Sequence, residues 1–122
     1  MFRIAAIFLI LSASANAADP WTRTDTAYEI AYQVADYMDW RQTREFTQAS
    51  YYTLGNYELN PIMGKHPSHT TVNETFLIGS IGHYAISRML PAKARHIWQY
   101  VTIGFESGVV GHNYQIGIRA KF

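Results

Sequence analysis

The spacing of apolar residues along the chain predicts three helices. In the first, over residues 25–46, the apolar positions recur every three or four residues, as on one face of an α-helix. These positions are Ala27, Ile30, Ala31, Val34 and Met38. Thr26 and Glu29 have the spacing of a capping box, which places the start of this helix near Thr26.

Two further helices are predicted after a polar connector. The second, over residues 71–90, opens with Thr71 and Glu74 in a second capping-box spacing. Pro91 either ends this helix, because proline is unfavourable in a helix interior, or forms the first turn of the next one. The third covers residues 92–113, and the stretch after it is compatible with an extended conformation. The predicted fold class is all-α, a single three-helix bundle within residues 18–122.

The first 17 residues have the pattern of a signal peptide. Arg3 precedes an apolar run over residues 4–11, and Ala15 and Ala17 have the small side chains of a cleavage site. The run is too short to cross a bilayer, which takes about 20 apolar residues. We therefore expect cleavage after Ala17 and export to the inner membrane or periplasm of a bacterium. A retained N-terminal anchor is the alternative.

The second and third predicted helices are close to the length of a membrane span. Trp98 and Tyr100 near one end of the third helix, and Tyr114 near the other, are placed as in the aromatic belts of membrane proteins. These features predict an antiparallel transmembrane hairpin, with the membrane as a partner. A soluble periplasmic bundle is the alternative, and a mean hydropathy of -0.12 favours it.

Charge and cysteine content narrow the functional classes. A net charge of +1 gives no field that would attract nucleic acid. The absence of cysteine excludes disulfides and thiolate metal sites. The sequence also has no glycine-rich phosphate loop and no nucleophile elbow. A non-catalytic role is therefore favoured, and an enzyme is left open.

Carboxylates and histidines are matched across the predicted hairpin. If the second and third helices fold back on each other about residue 93, Glu74 faces His112, and His83 faces position 103, one turn from Glu106. Polar groups at membrane depth normally have a partner or a role. Two structural hydrogen bonds that fix the helix register are one interpretation. A proton-handling or metal-binding site is the other.

The spacing of potential ligands does not define a metal site. No His-Glu-x-x-His motif is present, and zinc usually takes three or four protein ligands. The candidate ligands are His83, His112, Glu106 and Glu58. No cofactor is predicted, and a divalent metal is the open alternative.

Small residues lie on one face of the third predicted helix. Gly104-x-x-x-Gly108 is followed by Gly111 one turn further on. Such a face lets another helix approach closely. The motif predicts helix packing, either within the chain or in a homo-oligomer.

A D-x-x-x-T helix followed by an E-x-N-P loop is formed by Asp39, Thr43, Glu58, Asn60 and Pro61. In this pattern the chain resembles uncharacterised small helical membrane proteins of the bacterial and phage envelope. The likeness extends over most of the chain after residue 17 and implies a helical envelope protein without an established activity. On helical geometry alone, Asp39 and Thr43 share one face of a helix.

The leading hypothesis is a small exported, inner-membrane-associated helical protein without catalysis. Its polar cluster stabilises the bundle or binds a small ligand or partner. The cluster comprises Asp36, Asp39, Thr43, Glu58, Asn60, His83, Glu106, His112 and Asn113. One alternative is a membrane-embedded metal-dependent or acid–base hydrolase that uses the same cluster. The other is an oligomerising interaction protein of the envelope or of a phage.

Overall fold

The structure is a computed structural model that describes residues 19–46 and 67–118. This part of the chain contains three helices. They are α1 (Arg23–Phe46), α2 (His69–Met89) and α3 (Ala92–Gln115), and no strand occurs within these two ranges. The prediction of an all-helical, three-helix chain is confirmed. The predicted signal peptide, the E-x-N-P loop with Glu58 and Asn60, and the last four residues lie outside the described ranges.

The helix α1 begins earlier than the predicted capping box. The Thr22 backbone N–H donates to the Asp25 carboxylate at 2.8 Å, and the Asp25 N–H donates to the Thr22 hydroxyl at 3.2 Å. This reciprocal pair satisfies donors that the first turn of a helix leaves free. The predicted box of Thr26 and Glu29 is therefore wrong, since Glu29 points into the bundle instead.

The start of α2 is also shifted toward the N-terminus. Ser68 caps the helix, and its hydroxyl accepts from the Thr71 backbone N–H at 3.1 Å. The predicted box of Thr71 and Glu74 is therefore wrong by one turn. At the other end, the Leu90 N–H still donates to a carbonyl of α2, and Pro91 separates this helix from α3.

The first helix packs against both of the others. Contacts of Glu29 with His83 and of Trp40 with Asn73 place α2 antiparallel to α1. Contacts of Asp25 with Arg95 and of Asp39 with Asn113 place α3 parallel to α1. The helices α2 and α3 share fewer contacts with each other than either shares with α1. The interior of the bundle therefore depends mainly on which face α1 turns inward.

The interior of the bundle is polar. Among the described residues, ten polar or charged side chains are buried, against four hydrophobic ones, which are Tyr32, Ala35, Val72 and Ile118. Ile30 and Val34 are 58% and 53% exposed. The apolar face that the sequence shows on the first helix therefore does not form the core, because α1 turns that face outward and buries the opposite one.

The outer surface of the bundle is apolar over much of its length. Exposed large hydrophobic side chains occur on all three helices, for example Val34, Ile78 and Phe105. No exposed Asp, Glu, Lys or Arg side chain lies within residues 26–37, 75–87 or 96–118, and His112 is the exposed histidine of these ranges. A continuous apolar surface of this kind usually marks a site of interaction with a partner or a membrane.

The length and hydropathy of the described helices bear on the predicted hairpin. None of the three combines the length and the apolar character that a membrane crossing requires. The transmembrane form of the hairpin is therefore not supported.

Candidate functional site

Polar residues on each helix recur in steps of three and four and face the interior. On α1 they are Asp25, Glu29, Tyr32, Asp36, Asp39 and Thr43. On α2 they are Ser80, His83 and Ser87, and on α3 they are Arg95, Gln99, Thr102, Glu106 and Asn113. These are the intervals at which helical side chains share a face. We refer to these residues together as the polar core.

A buried ion pair lies at the α1 N-terminal end of the polar core. The Arg95 Nη1 atom lies 2.8 Å from Asp25 Oδ2, and both side chains are almost fully buried. The His96 Nε2 atom, which is partly exposed, lies 3.0 Å from Asp25 Oδ1. The guanidinium also donates to four backbone carbonyl oxygens, those of Asp19, Pro20, Ser87 and Leu90.

The surroundings of Asp25 keep it ionised. Burial alone would raise the pKa of this carboxyl group, but hydrogen bonds from Thr22 and the Arg95 guanidinium outweigh burial and lower the pKa. A charged pair removed from water is tolerated only when its remaining donors and acceptors find partners. Arg95 meets that condition, so this end of the polar core fixes α1 to α3.

His83 occupies the centre of the polar core. Its Nδ1 atom lies 3.0 Å from the Glu29 carboxylate, and its Nε2 atom lies 2.8 Å from the Thr102 hydroxyl. The ring stacks between Tyr32, at a centroid distance of 3.4 Å, and Trp98, at 5.1 Å. Both ring nitrogens and both ring faces are therefore in contact with the protein.

The hydrogen bonds around His83 suit an imidazole that donates from both nitrogens. The Thr102 hydroxyl lies 2.8 Å from the Trp98 carbonyl oxygen, to which it donates, so it accepts from His83. On the other side, Glu29 accepts from Nδ1, and hydrogen bonds from His83 and Gln33 outweigh burial and lower the pKa of the Glu29 carboxyl group. The predicted partner of His83 was Glu106, and that pairing is wrong.

Three carboxyl groups lie in the half of the polar core nearer the C-terminal end of α1. Asp39 Oδ1 accepts from Thr43 Oγ1 at 3.3 Å and from Asn113 Nδ2 at 3.1 Å. Asp36 is buried one turn earlier on α1, and Glu106 faces both from α3. The predicted proximity of Asp39 and Thr43 is confirmed, and Asn113 joins them.

Two of these carboxyl groups, Glu106 and Asp36, have raised pKa values and favour the neutral form to different degrees. The pKa of Glu106 is raised to about 8. Burial is the main cause, and the negative charges of Asp39 and Asp36 add to it. Burial raises the pKa of Asp36 to about 6, an effect that His83 and a hydrogen bond from Tyr32 partly offset. Glu106 is therefore the group that carries the proton of this cluster near neutral pH.

Glu106 also has an unsatisfied atom. Its Oε2 atom is buried and has no hydrogen-bond partner among the described residues. A buried polar atom without a partner is costly, and the cost is larger for a charged group. Protonation of Glu106 reduces that cost, in agreement with its raised pKa.

Other predicted site residues are not brought together. Glu74 and His112 are both exposed, and no hydrogen bond or ion pair joins them in the described ranges. Their predicted pairing is therefore wrong, because α2 and α3 each turn toward α1 rather than directly toward each other. Glu58 and Asn60 lie outside the described residues.

The glycines of α3 lie on the outer surface. At Gly104, Gly108 and Gly111, an added Cβ atom would meet no other atom within 4 Å. Within the described residues these glycines therefore have no role in intramolecular packing. The homo-oligomer that the motif also predicts stays a prediction.

The described residues do not form the candidate metal site. No group of three or more histidine and acidic side chains in residues 19–46 and 67–118 is arranged to hold a metal ion. His83 is bound to Glu29 and Thr102, and His112 is on the surface. The set of His83, His112 and Glu106 is therefore not a chelating cluster, and Glu58 lies outside the described residues.

Several residues of the polar core do not figure in the predicted cluster. They are Asp25, Glu29, Arg95, Gln99 and Thr102. The signal for them was present in the sequence, since Asp25, Glu29, Asp36 and Asp39 continue one stripe at helical spacing. A polar stripe is ordinarily assigned to the solvent side of a helix, so these residues were not predicted to face the interior.

Comparison with known proteins gives no match: no family model, no curated protein and no solved structure is significantly similar to this chain. The resemblance to small helical envelope proteins stays a prediction.

Proposed function

We propose that this protein is a small, non-catalytic helical protein that is exported and associates with the bacterial inner membrane. Its polar core holds the three helices in register, and its apolar outer surface contacts lipid. The observation that carries the proposal is the inverted distribution, with charged side chains such as Asp25 and Arg95 inside and Ile78 and Phe105 outside. In water this arrangement is unfavourable, and contact with acyl chains removes the cost.

The ends of the bundle support a membrane-associated orientation. At one end, the Arg88 guanidinium lies 4.8 Å from the Trp21 ring centre, and Trp21 contacts Tyr84 edge to face. At the other end, the Arg44 guanidinium lies 5.4 Å from the Trp40 ring centre. Aromatic rings beside basic side chains are typical of the boundary between lipid tails and headgroups.

A structural role for the polar core is supported by how fully its donors are used. Both nitrogens of His83 contact protein groups, and the Arg95 guanidinium is surrounded by Asp25 and backbone carbonyls. Groups bound in this way are poor candidates for a proton-transfer or nucleophilic step, which needs a free reacting atom. The core residues therefore serve chiefly to specify how the helices meet.

Flotation with lipid vesicles tests this proposal. Purified full-length protein is mixed with phosphatidylethanolamine–phosphatidylglycerol vesicles, treated with carbonate and centrifuged through a density gradient. We expect the protein to float with the lipid, and the double variant Ile78→Glu/Ile81→Glu to stay at the bottom, because two charges then face the acyl chains.

A matched control uses a charge at the end of the bundle. Lys93 is exposed in the first turn of α3, outside the apolar surface. Lys93→Glu should float as the wild type does. Wild-type protein that remains folded, monomeric and unbound to vesicles would overturn the proposal.

A second candidate function is suggested by the exposed glycines of α3. Gly104, Gly108 and Gly111 have open space beside them and lie on the surface beside Phe105. Such a face fits a close helix–helix contact with a second copy. An oligomerising envelope protein is therefore the alternative, and it is compatible with membrane association.

A further inference from the structure

A cavity between α1 and α2 is not used by the contacts described above. Its volume is about 320 Å³, and it opens on the outer surface beside Tyr37 and Leu77, which are 46% and 61% exposed. This volume lies near the lower end of the range for small-molecule sites, about 300 to 1,000 Å³. Asp36, which is 7% exposed, lines the cavity.

The polar groups of the cavity have partners within the chain, and the Tyr32 hydroxyl donates to Asp36. Gln33 Nε2 donates to Glu29 and to the Ser80 carbonyl oxygen, and the Ser80 hydroxyl donates to Gln33 Oε1. Asn73 Oδ1 accepts from Trp40 Nε1 at 2.9 Å. Asp36 is the one charged residue in the lining, and no arginine or lysine of the described chain lines the cavity.

The walls of the cavity are aromatic and aliphatic. Tyr37 and Trp40 contact each other at a ring-centre distance of 5.6 Å, and Phe76 and Leu77 form the opposite side. One face of Trp40 is occupied by the Arg44 guanidinium. The walls therefore offer apolar surface and aromatic rings around a single buried carboxyl group.

We propose that this cavity binds an organic ammonium ion, that is, an amine that carries a small aromatic or aliphatic group. The ammonium group pairs with the Asp36 carboxylate, and its apolar part lies against Tyr37, Trp40 and Phe76. Aromatic rings bind cations through their faces, and a carboxylate in an apolar cavity gives a short, charge-assisted hydrogen bond. This proposal does not depend on membrane association.

Three titratable groups face Asp36 from the elements packed around it. They are Tyr32 on the same helix, His83 on α2 and Glu106 on α3. The Nδ1 atom of His83 is already bonded to the Glu29 carboxylate. Because Glu106 carries a proton near neutral pH, the negative charge in the lining of the cavity is that of Asp36, and a bound ammonium ion compensates it.

The ammonium group has two chemical sources, a free amine and the ethanolamine headgroup of a lipid. The free source is tested with phenethylammonium, and 2-phenylethanol is the uncharged probe of similar shape. Binding is followed by NMR on the Nε1–H signal of Trp40, which is bonded to Asn73 at the cavity wall. We expect saturable shifts with phenethylammonium and at least about tenfold weaker binding of 2-phenylethanol.

Variants assign the binding to Asp36. Asp36→Asn should weaken phenethylammonium binding by at least about tenfold, because the charge-assisted bond is lost. Asp39→Asn removes a buried carboxylate one turn along α1, outside the cavity, and should leave the affinity within about twofold. Leu77→Trp fills the opening while keeping Asp36 and should also abolish binding, which keeps the test decisive if Asp36→Asn fails to fold.

The pH dependence provides a further readout. Burial raises the pKa of Asp36 to about 6, so a fall in pH from 7.5 to 5 neutralises the carboxylate. Phenethylammonium binding should weaken over that range, whereas 2-phenylethanol binding should not. Equal affinities for the two probes, or unchanged binding in Asp36→Asn, would overturn the proposal.

The lipid source is tested in a separate arm. The Trp40 signal is compared in bilayers of phosphatidylglycerol with and without phosphatidylethanolamine. A shift that requires phosphatidylethanolamine and is lost in Asp36→Asn assigns the site to the lipid headgroup. A shift with phenethylammonium alone assigns it to a free amine, and no shift with either overturns the site. Failure here leaves the flotation result unaffected, so the two proposals are separable.

Discussion

Buried charges are the residues on which the fold of this chain depends. Arg95 is fully buried, and its guanidinium contacts Asp25 and four backbone carbonyl oxygens. Breaking such a pair by removing one partner is expensive, about 3–5 kcal/mol, because the other charge is left without compensation. The same logic applies to His83 and Glu29 in the middle of the bundle.

Contacts between residues close together in the sequence were easier to predict than contacts between residues on different helices. The pair Asp39–Thr43 follows from helical spacing, and the structure confirms it. The register about residue 93 also placed His83 opposite position 103, and its contact is with the adjacent Thr102. The partner Glu29 could not be predicted in the same way, because that contact depends on where α1 lies relative to α2 and α3.

The raised pKa of Glu106 should make the stability of the protein depend on pH. Its pKa is raised to about 8 in the folded chain, so between its unfolded value near 4.3 and pH 8 the folded state binds more protons than the unfolded state. Stability should therefore fall as the pH rises through this range. Glu106→Gln should remove this loss and be more stable than the wild type at pH 8, by about 2 kcal/mol after solvent screening is considered.

Urea unfolding at pH 5, 6.5 and 8 measures this effect. Glu74→Gln is a matched control, since Glu74 is exposed near the start of α2 and should leave the slope with pH unchanged. Asp25 acts in the opposite sense, because its lowered pKa stabilises the folded state above its unfolded value and loses that effect in acid. A wild-type stability that rises between pH 5 and pH 8 would contradict the role given to Glu106.

At the scale of the helix, the sequence predicted the bounds of each helix well but did not identify the residues that cap the first turns. The predicted bounds of all three helices agree with the structure to within two residues. The caps were missed because several Ser, Thr and acidic residues near each start have capping-box spacing. Thr22 with Asp25, and Ser68, satisfy the free N–H groups, whereas Thr26 and Thr71 lie inside the helices.

Substitutions near the start of α2 distinguish the two assignments. Ser68→Ala should lower the free energy of unfolding by about 1 kcal/mol, because the Thr71 N–H loses its acceptor. Thr70→Ala, an exposed position two residues further on, should change it by less than about 0.5 kcal/mol. Both are measured by urea unfolding monitored by circular dichroism. An equal loss in the two variants would contradict Ser68 as the cap.

At the scale of the whole molecule, sequence periodicity could not tell the inside of the bundle from the outside. Along α1 the apolar stripe with Ile30 and Val34 and the polar stripe with Asp25, Glu29 and Asp36 have the same helical spacing. The rule that apolar stripes face inward assumes that water surrounds the protein. Here the polar stripe has the better partners within the chain, and the apolar stripe faces outward.

Whether two copies of the chain pack against each other through the exposed glycine face of α3 can be tested directly. The chain has no cysteine, so a single introduced cysteine reports on its own position. Gly108→Cys should form a disulfide-linked dimer on mild oxidation of the vesicle-bound protein, because a close helix contact brings the two Cα atoms within the roughly 7 Å that a disulfide requires.

The control for that contact is a cysteine on another exposed face. Leu77→Cys lies on the outer side of α2, 61% exposed in the wild type, and should remain monomeric under the same oxidation. Random collisions in the lipid would link both variants equally, whereas a specific interface links only Gly108→Cys. Gly108→Leu should also abolish any dimer seen by chemical crosslinking, since its side chain keeps the helices apart. Equal linking of both cysteines would leave the glycine face without a specific role in assembly.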